Sequence, residues 1–227
     1  DDVKVSCSGD IRTLVDYEHP TTVDTSNARF SYLFFNCSVL TKAPALPAEN
    51  LDEFCYEGMF SGCTSLTSAP ALSAKTLADY CYEGMFSGCT NLTNAPALSA
   101  ETLADYCYEG MFSGCTSLTS APALDAETLA HACYWRMFEG CTSLTSAPAL
   151  PAKALVSYCY RRMFSGCERL DSVTMLATDI LAEKCLDGWL NNVSETGTFT
   201  KAAMMDETTL WTYIPSGWIV QVYDSQQ

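Results

Sequence analysis

Positive charge is scarce in this chain. Twelve lysines and arginines stand against 27 aspartates and glutamates in 227 residues, a formal charge of −15. Such a surface repels a phosphate backbone instead of releasing its counterions, so nucleic acid is not an expected partner. Histidine occurs only as His19 and His131, which leaves little for acid–base chemistry or a metal centre. No apolar run approaches the roughly 20 residues that span a bilayer, and no transmembrane segment is expected. The N-terminus, DDVKVSCSGD, lacks the charged start and apolar stretch of a secretory leader. The chain therefore reads as soluble, with its compartment left open. No glycine-rich phosphate loop follows a strand anywhere, and Gly62, Gly88, Gly114, Gly140 and Gly166 are explained by a turn that recurs in a repeat.

What the chain does hold is a repeated sentence. CYEGMFSGCTSL begins at Cys55, returns almost unchanged at Cys81 and Cys107, and stays legible from Cys133 and Cys159. The period is 26: leucine falls at Leu40, Leu66, Leu92, Leu118, Leu144 and Leu170, with Leu14 one step ahead. Phenylalanine keeps the same beat at Phe34, Phe60, Phe86, Phe112, Phe138 and Phe164, with Leu190 closing the series. A prolyl turn recurs in Ala-Pro-Ala-Leu at Pro44, Pro70, Pro96, Pro122 and Pro148. A fixed period of this size signals stacked supersecondary units, each unable to bury its apolar face alone. The expected division is an N-terminal cap with a degenerate half-repeat over 1–39, six repeats over 40–195 and a C-terminal cap over 196–227. In that last cap Trp211, Tyr213, Ile214, Trp218 and Val220 are expected to lie over the final rung.

Within one unit, LTSAPAL from Leu66 predicts a short strand with Leu66, Ala69 and Ala71 inward, ended near Pro70, which has no N–H to give. The phrase KTLADYCYEGMF from Lys75 places Leu77, Cys81, Met85 and Phe86 at helical spacing, with Asp79 and Glu83 opposite. A helix of about three turns is expected there, closed near Gly84 and Ser87-Gly88. At about 4.8 Å per rung, seven rungs would build a parallel ladder roughly 30 Å long.

The phrase MFSGCTSLTSAP, the L-x-x-A-x-A-L that follows and the tail phrases GTFTKA and IPSGWIV are similar to those of the BspA-like leucine-rich repeat family of bacterial surface proteins, in the variant common among gut Bacteroidetes. The resemblance covers about Phe30 to Val220. It implies an α/β, right-handed leucine-rich-repeat solenoid with short parallel strands on one side and short helices on the other. It also implies export to the cell surface or beyond, and adhesion to a host or matrix protein or glycan. Alanine replaces the usual Leu or Ile at the strand positions, which predicts a thin, close-packed sheet side.

Thirteen cysteines form two periodic sets and one outlier, Cys7. Cys55, Cys81, Cys107, Cys133, Cys159 and Cys185 make one set; Cys37, Cys63, Cys89, Cys115, Cys141 and Cys167 make the other. Joining each member of the second set to the first-set cysteine 18 residues on, Cys37 with Cys55 through Cys167 with Cys185, uses all twelve. Bridges of that kind would place the protein in an oxidising compartment. A stacked ladder of free buried thiols is the other reading. Zinc does not fit spacings of 8 and 18, and neither a metal nor a cofactor is expected.

No catalytic set emerges. His131 stands where Asp79 and Asp105 stand in other repeats and reads as a surface substitution, His19 reads as a turn residue, and Asp105 with Glu109 reads as solvated helix charge. The departures from the repeat say more. The pairs Glu57-Gly58, Glu83-Gly84 and Glu109-Gly110 become Trp135-Arg136 and Arg161-Arg162. With His131, Tyr134, Tyr158 and Tyr160 these form a local basic and aromatic cluster, built from the residue types that dominate interface energetics. The opposite side offers a hydroxyl-rich ridge: Thr67, Ser68, Thr93, Asn94, Thr119, Ser120, Thr145 and Ser146. A non-catalytic binding or adhesion module is the expected function; a stalk displaying another domain is the alternative.

Overall fold

The computed structural model describes residues 3–206 and 210–224; the expected caps include a few residues outside these. Among the described residues there are five strands: β1 (Val5–Ser6), β2 (Leu40–Lys42), β3 (Ser172–Met175), β4 (Gly197–Lys201) and β5 (Trp218–Val222). β1 pairs with β2, and β3, β4 and β5 form a second sheet, all in parallel. Between the sheets the chain stacks rung on rung through isolated parallel bridges such as Ser68 with Asn94 and Asn94 with Ser120, each 26 residues apart. The continuous ladder predicted from the repeat is thus confined to the two ends. The proline in each Ala-Pro-Ala-Leu phrase withholds a donor from the ladder. Ala71, expected inward, is exposed, and Leu72 is buried instead.

The core is a set of columns along the stack. Leu40, Leu66, Leu92, Leu118, Leu144 and Leu170 are 0 or 1% exposed. Phe34, Phe60, Phe86, Phe112, Phe138 and Phe164 stack ring on ring with centroids 5.5–5.7 Å apart. Tyr56, Tyr82, Tyr108, Tyr134 and Tyr160 form a parallel column at 5.7–6.0 Å. At the C-terminal end the phenylalanine column passes to Trp189, tilted against Phe164 and edge-on to Phe199 of β4. Ile214 and Trp218 are buried at this end, whereas Trp211 is 52% exposed.

The predicted helices do not form. From Asp79 to Gly88 the backbone is a run of turns. Odd-numbered amides bond within the rung: Cys81 N–H donates to Ala78 O, Glu83 to Tyr80 O, Met85 to Tyr82 O and Ser87 to Gly84 O. Even-numbered amides bond across it: Tyr80 donates to Asp105 O, Tyr82 to Cys107 O, Gly84 to Glu109 O and Phe86 to Met111 O, at 2.7–3.0 Å. Alternate turns carry a positive φ at their third residue, the signature of a type II turn: Tyr80 at 59°, Gly84 at 56° and Gly88 at 70°. Half of the donors thus leave the rung to bond its neighbour, which an α-helix, with every bond internal, cannot do. The buried residues Cys81, Tyr82, Met85, Phe86 and Cys89 follow a four-residue period, close enough to 3.6 to imitate a helix over so short a span.

The disulfide expectation is also corrected. All thirteen cysteines are free thiols, eleven of them buried. Stacking sets each cysteine beside its own column, one rung away, so Cys89 feels Cys63 and Cys115 and no bridge joins Cys63 to Cys81. The second-set thiols have another role: Cys63, Cys89, Cys115, Cys141 and Cys167 each donate to the carbonyl of the phenylalanine 29 residues earlier, Phe34 to Phe138, at 3.1 Å. Burial raises these thiols, to about 12 for Cys63, Cys115 and Cys167.

Candidate interaction surface

The turn side carries a second aromatic column, outside the core. Phe54, Tyr80 and Tyr106 project from the positive-φ position of three successive rungs and stack at 4.7 and 4.6 Å, nearly parallel. The next rung has Ala132 at that position, so the column has a gap between Tyr106 and Tyr158. His131 and Trp135 fill it. The His131 ring lies edge-on to Tyr106 and Tyr158 at 5.1 and 5.4 Å, with Nε2 2.9 Å from the Tyr106 hydroxyl. The indole of Trp135 is tilted against the same two tyrosines at 6.4 and 6.2 Å, and its Nε1 is buried without a hydrogen-bond partner. The Arg161 guanidinium sits 5.3 Å from the Trp135 ring and 5.4 Å from Tyr158, and its Nε bonds Asp187 Oδ2 at 2.9 Å.

His131, Trp135, Arg136, Tyr158, Arg161 and Arg162 therefore meet on one half-exposed patch. Tyr134 and Tyr160 do not belong to it: at 3% and 1% exposure they are members of the inner tyrosine column. The alternating in-and-out direction of Tyr158 and Tyr160 is a property of the turn ladder. The patch is also less basic than its sequence suggests, because Arg136 and Arg162 both clasp Glu139, each at 2.8 Å.

Glu57, Glu83 and Glu109 stand on three successive rungs at the position that later holds Trp135, Arg161 and Asp187. Reading such residues as solvated helix charge missed this column. Glu57 accepts from Tyr32 Oη at 2.5 Å. Glu83 and Glu109 line a groove of about 290 Å³ with Ser87, Ser113, Arg136 and Glu139. Burial, with repulsion from the neighbouring glutamate second, raises Glu83 and Glu109 from the usual 4.5 to about 7, against a smaller opposite pull on Glu109 from Arg136. A carboxyl raised on folding stabilises fully below its unfolded value and loses that contribution as pH rises through its folded value. Stability should therefore fall between pH 5 and pH 8. The melting temperature measured at both ends of that window should differ less in Glu109→Gln than in the parent; an equal difference in both contradicts the assignment.

Across the molecule, Thr67, Ser68, Thr93, Asn94, Thr119, Ser120, Thr145 and Ser146 are all exposed on the strand side. Asn94 Nδ2 bonds Thr93 Oγ1 at 3.0 Å, and Thr93 Oγ1 bonds Thr67 O at 3.3 Å. His19 is the exposed residue before a short 3-10 turn, 3.6 Å from Asp16. Among the described residues no group of three His, Cys, Asp or Glu side chains is placed to hold a metal ion, and no helix is long and apolar enough to cross a membrane.

The family model of the BspA type leucine rich repeat region matches the chain with six copies, over residues 19–119 and 81–188. No curated protein and no solved structure matches it.

Proposed function

Because the chain belongs to the BspA-type leucine-rich repeat family, we propose that it is a non-catalytic module that acts at the cell surface or outside the cell, adhering to a protein or glycan through the side of its solenoid. The observation that carries this reading is the patch around Trp135. There an indole, an imidazole, a tyrosine and a guanidinium sit half-exposed where the three preceding rungs repeat one stacked ring, and Trp, Tyr and Arg are the anchors that most often dominate binding. Arg161 is held in place by Asp187 and by two rings, so little conformational freedom is lost when a partner covers it.

The alternative, a stalk that only displays another domain, would leave this patch idle. The two readings separate on Trp135→Ala and Arg161→Ala. With host-cell or matrix surfaces as the target, the binding reading expects each substitution to weaken adhesion of the purified protein about tenfold or more, as loss of an interface anchor does. Thr93→Ala and Thr119→Ala, on the strand side, should leave adhesion unchanged. Adhesion insensitive to Trp135 and Arg161 but lost with the hydroxyl ridge would move the site to the other side. Insensitivity to all four would favour the stalk.

A further inference from the structure

The outer aromatic column has a second gap, and no ring among the described residues fills it. One rung before Phe54 the column position is Ala28, at φ 51°, beside 57° for Phe54 and 59° for Tyr80. One face of Phe54 is covered by Tyr80, at 4.7 Å and 8°, and no other ring packs on it. A cavity of about 550 Å³ opens there, lined by Ser26, Asn27, Ala28, Asp52, Glu53 and Phe54. Asp52 is anchored by Thr25, whose hydroxyl donates to its Oδ2 at 3.0 Å and accepts from its amide at 3.0 Å. Glu53 is exposed and has no ion-pair or hydrogen-bond partner among the described residues. Arg29, next to Ala28 in sequence, is already paired with Asp24 at 3.1 Å.

The same molecule shows what such a gap accepts. At Ala132 the space is filled by planar groups, and the adjoining guanidinium of Arg161 rests on Trp135 and Tyr158 while a carboxylate, Asp187, holds its edge. The Ala28 gap offers the complementary half of that arrangement: an aromatic face with two carboxylates beside it, on a chain of formal charge −15. We infer that the cleft between Ala28 and Phe54 is a docking site for a guanidinium group, the arginine side chain of a protein partner, stacked on Phe54 and paired with Glu53 and Asp52. A guanidinium fits better than an ammonium because it is planar, more weakly hydrated and able to pair with a carboxylate through its edge while its face lies on a ring. The site is distinct from the Trp135 patch and stands whether or not that patch binds.

The test uses N-acetyl-arginine methylamide as probe, titrated into the protein carrying 13C-labelled phenylalanine rings. The amide of lysine and methyl β-glucoside serve as comparators. A saturable shift of the Phe54 ring with the arginine probe is expected, with the lysine probe several-fold weaker. Glu53→Gln should weaken the arginine probe about tenfold. Ala28→Phe should abolish its binding, and this variant keeps the fold because the same backbone position already holds Phe54 and Tyr80 at nearly the same φ. No saturable shift at Phe54, equal response to lysine, or undiminished binding in Ala28→Phe would each overturn the proposal. Saturation by the glucoside alone would overturn it too, and make the cleft a sugar site.

Discussion

Replacing Phe112 with alanine should cost about 3–5 kcal/mol, the range for deleting a fully buried phenylalanine. The ring is 0% exposed and stacks on Phe86 at 5.7 Å and Phe138 at 5.6 Å, so one substitution removes both of its contacts in the column. The void cannot close, because the rungs above and below are fixed at their own spacing. Phe112 N–H donates to Met137 O, and its carbonyl accepts from Cys115 N–H and Cys141 Sγ. Stability in a stacked array is a sum of unit and neighbour terms, so the damage falls on the two interfaces of one rung and weakens coupling between the halves. Chemical denaturation should show a lowered midpoint, with a shallower transition if the halves separate. Tyr106→Ala, in the half-exposed outer column, is the comparison and should cost clearly less. If Phe112→Ala loses no more than about 1 kcal/mol, the ring column is not the core.

The second large effect is in thiol chemistry. Eleven of thirteen cysteines are buried, and only Cys7 and Cys37 are half-exposed. Burial holds thiols such as Cys81, Cys115 and Cys133 up at about 12, which suppresses the thiolate that alkylating reagents attack. The native protein should therefore take up at most two labels quickly. In denaturant without reductant it should take up all thirteen. Six bridges would instead give about one label in denaturant, so intact mass separates the two arrangements by a wide margin. Free buried thiols also mean that the cysteines carry no information about compartment, and the proposed surface location rests on the family.

The stacking of the chain could be read from the sequence because the 26-residue period marks columns directly: the leucines from Leu40 to Leu170 and the phenylalanines from Phe34 to Phe164 are the core columns found. The helix could not be excluded in the same way. Cys81, Tyr82, Met85, Phe86 and Cys89 differ from a helical stripe by less than one residue over nine positions, and periodicity alone cannot separate 4 from 3.6 over that length. The signal that could have decided it was Gly84 and Gly88, four residues apart in every well-kept repeat, marking the recurrent positive φ. Tyr80 and Tyr106 hide that signal, since a tyrosine at φ near 57° is uncommon.

The candidate patch was legible in part. Trp135 and Arg161 stood out as breaks in the repeat, whereas Tyr134 and Tyr160 keep the tyrosine of Tyr82 and Tyr108 and so belong to the inner column. The cysteine pairing failed for a physical reason as well: parity is satisfied equally by bridges and by two columns that start and stop at different rungs. The Ala28 gap was invisible because an alanine announces nothing until the rings around it are placed.

The most direct test of this architecture is the detection of amide-to-carbonyl couplings across hydrogen bonds by NMR. The turn ladder predicts that the amides of Tyr82, Gly84 and Phe86 couple to the carbonyls of Cys107, Glu109 and Met111, one rung away. Coupling of Tyr82 to Ala78 and of Phe86 to Tyr82, four residues back in the same rung, would mean that helices line this side after all, and would contradict the account.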